Sequence, residues 1–228
     1  MEKDNFFYKL DVSGYEALAE AITSYVLFRL NLSSDEYVKY RRCRIVEDGV
    51  ELGVGCYCES MLQEGEEEIS INQILEQRCL SSSISFDDLR DELVKIIGFD
   101  CKSYLTKILQ LDAITLNEDR HFNNIVFIAK DGSYRCGKIF DNGAALLSDM
   151  WMYPLSSDWR RYITRVTAKP FNTDFLKQIP NSSELLVIDY NSIFVKEPIE
   201  LVTREAKRAV EVLRYSLDLK EGVVWRRP

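Results

Sequence analysis

Asn117-Glu118-Asp119-Arg120-His121-Phe122-Asn123-Asn124-Ile125, followed by Ile139-Phe140-Asp141-Asn142-Gly143, is the stretch on which the reading of this chain turns. Between the two segments the hydrophobic period is two. Ile125–Ile128 and Ser133–Phe140 read as strands joined at Asp131-Gly132, a two-residue hairpin signal. With those residues at the turn centre, partners across the ladder have numbers summing to about 263. Asn124 then faces Ile139, and Asp141 faces Phe122. A carboxylate and an amide therefore meet at the open end, and Asp119 is close enough in sequence to turn toward them. Two Asp and one Asn, with no thiol or imidazole cluster, suit a hard divalent ion such as magnesium. Taken singly, loop Asp and Asn residues cap turns, and the lone His121 reads as structural; the set carries the argument.

Outward from the hairpin, helical spacing dominates. Tyr15, Leu18, Ile22, Val26 and Leu30 predict a helix over 14–31, opened by a capping box in Ser13-Gly14-Tyr15-Glu16. Ser85 to Asp88 begins a second helix that stops at Gly98, and a third covers 101–114. Tyr37–Val46 and Val50–Cys58 read as strands about Glu47-Asp48-Gly49. The acidic run Gln63–Ser70 reads as an exposed linker. An irregular stretch runs from Asn142 to about Val166. The last helix opens near Pro198 and lines up Val202, Ala206, Ala209, Leu213 and Leu217. The expected organisation is α+β: a small unit over 1–62 and a mostly helical unit over 63–228 that carries the hairpin.

Composition narrows the function. Of 228 residues, 46% are apolar and 29% charged, ordinary for a folded protein and not for a disordered one. Apolar runs fall far short of the about 20 residues a membrane span needs. No apolar leader follows Met1, so the protein is read as soluble, unexported and cytoplasmic. A net charge of −8 argues against non-specific duplex binding, and no helix-turn-helix is legible, so no direct nucleic-acid contact is expected. The six cysteines show no C-x-x-C pair and read as ordinary buried thiols.

The quoted stretch resembles the catalytic segment of HipA-like bacterial Ser/Thr protein kinases, with a D-x-H-x-x-N loop and a later Asp near a strand end. The D-R-H-x-x-N-I form also occurs in phosphoinositide lipid kinases. Gly14-Tyr15-Glu16-Ala17-Leu18-Ala19-Glu20 is similar to the glutamate helix of a HipA-like subgroup, and Phe6-Phe7-Tyr8-Lys9-Leu10-Asp11 to the lysine strand before it. The resemblance implies a two-lobed protein-kinase-like fold whose small lobe is truncated before the lysine strand. It implies ATP and Mg2+ as cofactors and transfer of the γ-phosphate to a hydroxyl. Asp119 would act on that hydroxyl, and Asn124 and Asp141 would hold the metal. Lys9 would bind phosphates, fixed by Glu20 with Glu16 as competitor. The hinge from Tyr57 to Leu62 would meet adenine through backbone groups of Glu59 and Met61. Trp151, Trp159 and Arg160-Arg161 fall where an activation segment belongs, their aromatics read as packing. Gly49, Gly53 and Gly55 come too late for a glycine-rich loop. The missing loop implies weak ATP binding, a separately encoded partner that supplies the missing strands, or a degenerate relative; the resemblance also implies a protein substrate and an antitoxin partner. A nucleotide-binding pseudokinase module and a small-molecule or lipid phosphotransferase are the alternatives.

Overall fold

Asp131 and Gly132 both have positive φ, 49° and 77°, the geometry that lets a two-residue turn follow the twist of its strands. The computed structural model containing this turn describes residues 2–3, 5–181, 184–196 and 201–228. The hairpin pairs β6 (Val126–Lys130) with β7 (Ser133–Cys136), with Phe127 opposite Cys136. The expected register therefore holds, but the ladder is shorter than the sequence suggested. At Gly137 a Cβ would lie 2.4 Å from Val126, so the chain closes tightly there and then leaves the ladder. Ile139 instead bridges to Tyr37, and Asn124 lies in a short 3₁₀ turn over Phe122–Asn124. The cross-strand pairs drawn from the sequence for Asn124 and Asp141 do not form.

A four-stranded antiparallel sheet lies before the hairpin in the chain, in the order β1-β2-β4-β3. Its strands are β1 (Glu2–Lys3), β2 (Phe6–Leu10), β3 (Arg41–Glu47) and β4 (Val50–Glu59). β3 begins later than expected because Tyr37 and Val38 leave the sheet to contact Ile139. Asp48 and Gly49, again with positive φ, turn β3 into β4. Against this sheet lies α1 (Glu16–Leu27), which buries Leu18, Ile22, Val26 and Leu27. Each such side chain contributes about 1.5–3 kcal/mol. α1 is shorter than predicted: Leu30 is buried at helical spacing, but the chain beyond Leu27 has already tightened into turns. Its cap is half of the expected box. Glu16 accepts from the Ser13 and Gly14 N–H groups, while the Ser13 hydroxyl donates to Glu16 and not to the backbone.

The predicted linker is a strand. β5 (Glu67–Ser70) pairs with β6 and exposes its glutamates on the sheet edge, which explains why the run looked solvent-bound. Ser70 and Gln73 then form a reciprocal capping box for α2 (Ile71–Gln77). α3 (Phe86–Ile97) starts and stops as read, with Ser85 accepting from the Asp88 N–H and Gly98 left-handed at φ 82°. α4 (Lys102–Thr115) is buried along most of its length and packs against α6 (Arg204–Lys220). α6 begins at a Thr203 cap; Pro198 lies outside the described residues. The stretch after Asn142 carries one short helix, α5 (Arg160–Ile163). Among the described residues no helix is long and apolar enough to cross a membrane. Cys56, Cys58 and Cys101 are buried thiols as expected, Cys43 and Cys136 are half-buried, and Cys79 is exposed.

Candidate active site

The loop before β6 is held by one cation. Arg120 is fully buried and pairs with the equally buried Asp112 of α4, Nε to Oδ2 at 3.0 Å. Its other nitrogens donate to the Asn124 carbonyl (3.2 Å), the Phe140 carbonyl (2.6 Å) and Asn142 Oδ1 (2.8 Å). Asn117 completes the set, donating to Asp112 Oδ1 at 3.1 Å and accepting from the Asp119 N–H at 3.2 Å. Burial pushes the Asp112 carboxyl up and Arg120 draws it back; with its carboxylate so fully donated to, we read the pair as ionised. The loop that carries Asp119 and the segment beyond β7 that carries Asp141 are thereby tied to one guanidinium. Asp141 has φ 54°, an uncommon conformation for a residue with a side chain, and its carboxylate lines a cleft.

Lys9 on β2 reaches that carboxylate. Its Nζ bonds Asp141 Oδ1 and lies 3.3 Å from Glu20 Oε1. Burial would lower the Lys9 pKa, but Glu20 and Asp141 outweigh it and hold the ammonium above its ordinary range. Burial is also the largest influence on Glu20, pushing it up; Lys9 and the Asn142 N–H (2.9 Å to Oε2) oppose it. Donors on both oxygens favour the ionised form. Glu16 is engaged instead by Ser13 and Gly14. A Cβ on Gly143 would lie 3.0 Å from Lys9 Nζ and 3.3 Å from Glu16.

Two hollows meet at the Lys9–Asp141 contact. One, of about 320 Å³, is largely apolar and is lined by Tyr8, Val38, Tyr40, Cys58, Glu59, Met61, Leu62 and Phe140. Burial raises the Cys58 thiol to about 11, so it is a neutral wall here. The Met61 carbonyl accepts from Arg135 at 3.2 Å, and Arg135 also pairs with Glu66 at 2.7 Å. The other hollow, of about 490 Å³, is polar and is lined by Glu118, Asp119, Asn124, Gly143, Asp149 and Lys169. All seven residues singled out from the sequence (Lys9, Glu20, Glu59, Met61, Asp119, Asn124, Asp141) thus lie in or directly against this double cleft.

Among the described residues no group of three His, Cys, Asp or Glu side chains could hold a metal ion alone. Asn124 donates through Nδ2 to the Asp119 carbonyl (3.3 Å), which leaves its amide oxygen as an acceptor, and Asp141 lines the same hollow. Two oxygen donors fit magnesium, which takes one or two protein ligands and completes its shell with phosphates and water.

Sequence reasoning missed several residues that shape this site. Lys169 Nζ lies 2.8 Å from Asp119 Oδ1, brought from fifty positions away with no motif to mark it. Arg120 stood inside the quoted stretch, but its buried partner Asp112 could not be paired with it by spacing. His121, read as structural, lies with Nε2 3.7 Å from Asp119 Oδ2 and is half exposed. The packing reading suits Trp159, buried and donating to Glu211 at 2.9 Å; it fails for Trp151, whose ring stands in solvent.

No protein-family model matches the chain, and no curated protein matches it in sequence. In fold it is similar to the Helicobacter pylori proinflammatory kinase CtkA, with a TM-score of 0.65. That match is 15% identical and covers 93% of this chain and 83% of that one. A further match, HipA of the Shewanella oneidensis MR-1 HipA–HipB toxin–antitoxin system with its operator DNA, has a TM-score of 0.49 and 12% identity. It covers 94% of this chain and 57% of that one. The fold is mixed α/β and kinase-like.

Proposed function

We propose that the chain is an ATP-dependent phosphotransferase, a HipA-like protein Ser/Thr kinase with residues 1–62 as its small lobe and 63–228 as its large one. One observation carries the reading: an apolar hollow of a size to take a base opens into a polar one at a lysine–aspartate contact backed by a buried glutamate.

Adenine occupies the apolar hollow, with the Glu59 carbonyl and the Met61 N–H as its backbone partners; the Met61 carbonyl is already occupied by Arg135. Lys9, steered by Glu20, exchanges Asp141 for phosphate oxygens. Asn124 and Asp141 hold magnesium, which when bound neutralises phosphate charge. Asp119 accepts the proton of the substrate hydroxyl as its oxygen bonds the γ-phosphorus. The bond from that phosphorus to the β,γ-bridging oxygen breaks, and ADP leaves with the electron pair. An antitoxin partner and a cytoplasmic setting belong to the same reading.

The test is transfer of label from γ-labelled ATP with magnesium, by the purified chain alone and with a cell lysate, beside Asp119→Asn. Label transfer in the wild type and its loss in the variant, with ATP still stabilising both against heat, is the expected result. Stabilisation without transfer in the wild type supports a nucleotide-binding module instead; no stabilisation at high ATP sinks the reading.

A further inference from the structure

The polar hollow holds more negative than positive charge. Glu16, Glu118, Asp119, Asp141 and Asp149 line it, against Lys9 and Lys169. Lys9 is committed to Glu20 and Asp141. At the Asp119 end Lys169 is therefore the one cation among the lining residues. Its Nζ lies 2.8 Å from Asp119 Oδ1, and both side chains are 50% exposed. An ion pair this open contributes little to stability, so holding the fold together is a weak reason for it.

The backbone beside it is anchored, and the side chain is half exposed. Ala168 is buried and donates its N–H to the Thr173 carbonyl at 2.9 Å. Phe171 packs edge-on against Phe122, 5.5 Å between centroids, and against Phe86 at 5.3 Å. Phe122 belongs to the same loop as Asp119. A turn anchored to the loop that carries the base thus presents an ammonium, on a long stem, at the place where a hydroxyl would react.

We propose that Lys169 is a further catalytic residue of this cleft, its ammonium passing from Asp119 to the transferring phosphoryl group. The proposal rests on the phosphotransferase reading above. In the nucleotide-free protein Lys169 balances Asp119. With a triphosphate in place its N–H groups turn to the γ-phosphate oxygens, where charge spreads during transfer, and Asp119 is left free to take the hydroxyl proton. Lys169 stays protonated throughout, so the transfer is otherwise unchanged.

Calorimetric titration of the wild type, Lys169→Met and Lys169→Arg with magnesium plus either ADP or the non-hydrolysable triphosphate AMP-PNP tests this. Lys169→Met should weaken AMP-PNP about tenfold, the worth of a charge-assisted hydrogen bond, and leave ADP within about twofold. Its kcat for label transfer should fall about a hundredfold with KM for the acceptor little changed, and Lys169→Arg should restore most of the loss. Equal weakening of both nucleotides, or of neither, overturns the proposal. So does a rise in kcat, which would make the Lys169–Asp119 contact a latch. A wild type that binds neither nucleotide removes the phosphotransferase reading itself, a result seen without any variant.

Discussion

Replacing Arg120 with Met should be among the most damaging single changes in the chain. Arg120 and Asp112 are both 0% exposed, so the variant strands a carboxylate with the Asn117 amide as its remaining donor. Breaking a buried pair from one side costs about 3–5 kcal/mol, because the surviving charge has lost its compensation. The carbonyls of Asn124 and Phe140 lose a donor as well. Against a total stability of about 5–15 kcal/mol this is a large fraction. With a urea slope near 3 kcal/mol/M, the unfolding midpoint should drop by about 1–2 M. The double variant Arg120→Met/Asp112→Leu should recover part of that loss, since it removes the stranded charge. The pH dependence has a definite sign. In Arg120→Met the folded Asp112 carboxyl is raised above its unfolded value, so its protonated form favours the fold, and that benefit is lost as pH climbs through the folded pKa. The deficit against wild type should narrow from about pH 7 toward about pH 5. Urea titrations at both pH values read all of this. A midpoint within about 0.3 M of wild type, or a double variant as unstable as the sum of its singles, would refute the reasoning.

Two further outcomes follow from other parts of the molecule. Burial lowers Lys220 to about 8, with the Ser216 hydroxyl at 2.7 Å as its partner. Between about pH 8 and 10.5 the unfolded chain keeps a proton the native state has lost, so wild-type stability should rise across that window. Lys220→Met should flatten the rise and add up to about 3 kcal/mol at pH 7, read by urea unfolding at pH 7 and 9.5. A Cβ at Gly14 would lie 1.9 Å from the Ser148 carbonyl oxygen, so Gly14→Ala must push the start of α1 off the segment that follows Asp141. The expected cost is about 1–3 kcal/mol, a fall in Tm of several degrees, together with weaker ATP stabilisation; an unchanged Tm counts against it.

Local chemistry made part of this structure legible. The Asp131-Gly132 turn and the Ser85 and Gly98 boundaries of α3 are decided within a few residues, and the sequence states them plainly. The approach of Asp119, Asn124 and Asp141 was read from the hairpin, through cross-strand pairs that do not form, while Lys9 and Glu20 were reached through family resemblance, which encodes long-range contacts that spacing does not. What was hidden was tertiary. β5 looked like a linker because an edge strand can leave its glutamates in water. The ladder ended early because Tyr37 took Ile139. Lys169 reaches Asp119 only through the packing of Phe171 on Phe122, which no period in the sequence announces.

The start of α1 is also bound from the far end of the chain. Tyr15 donates through its hydroxyl to the Leu146 carbonyl at 2.7 Å, and Arg208 of α6 donates to that hydroxyl at 3.0 Å while also gripping the Leu147 and Tyr153 carbonyls. During synthesis, residues 15 and 147 leave the ribosome well before residue 208 can join them. The cleft therefore stays unfastened until α6 has emerged, and the start of α1 is locked only when residue 208 joins residues 15 and 147.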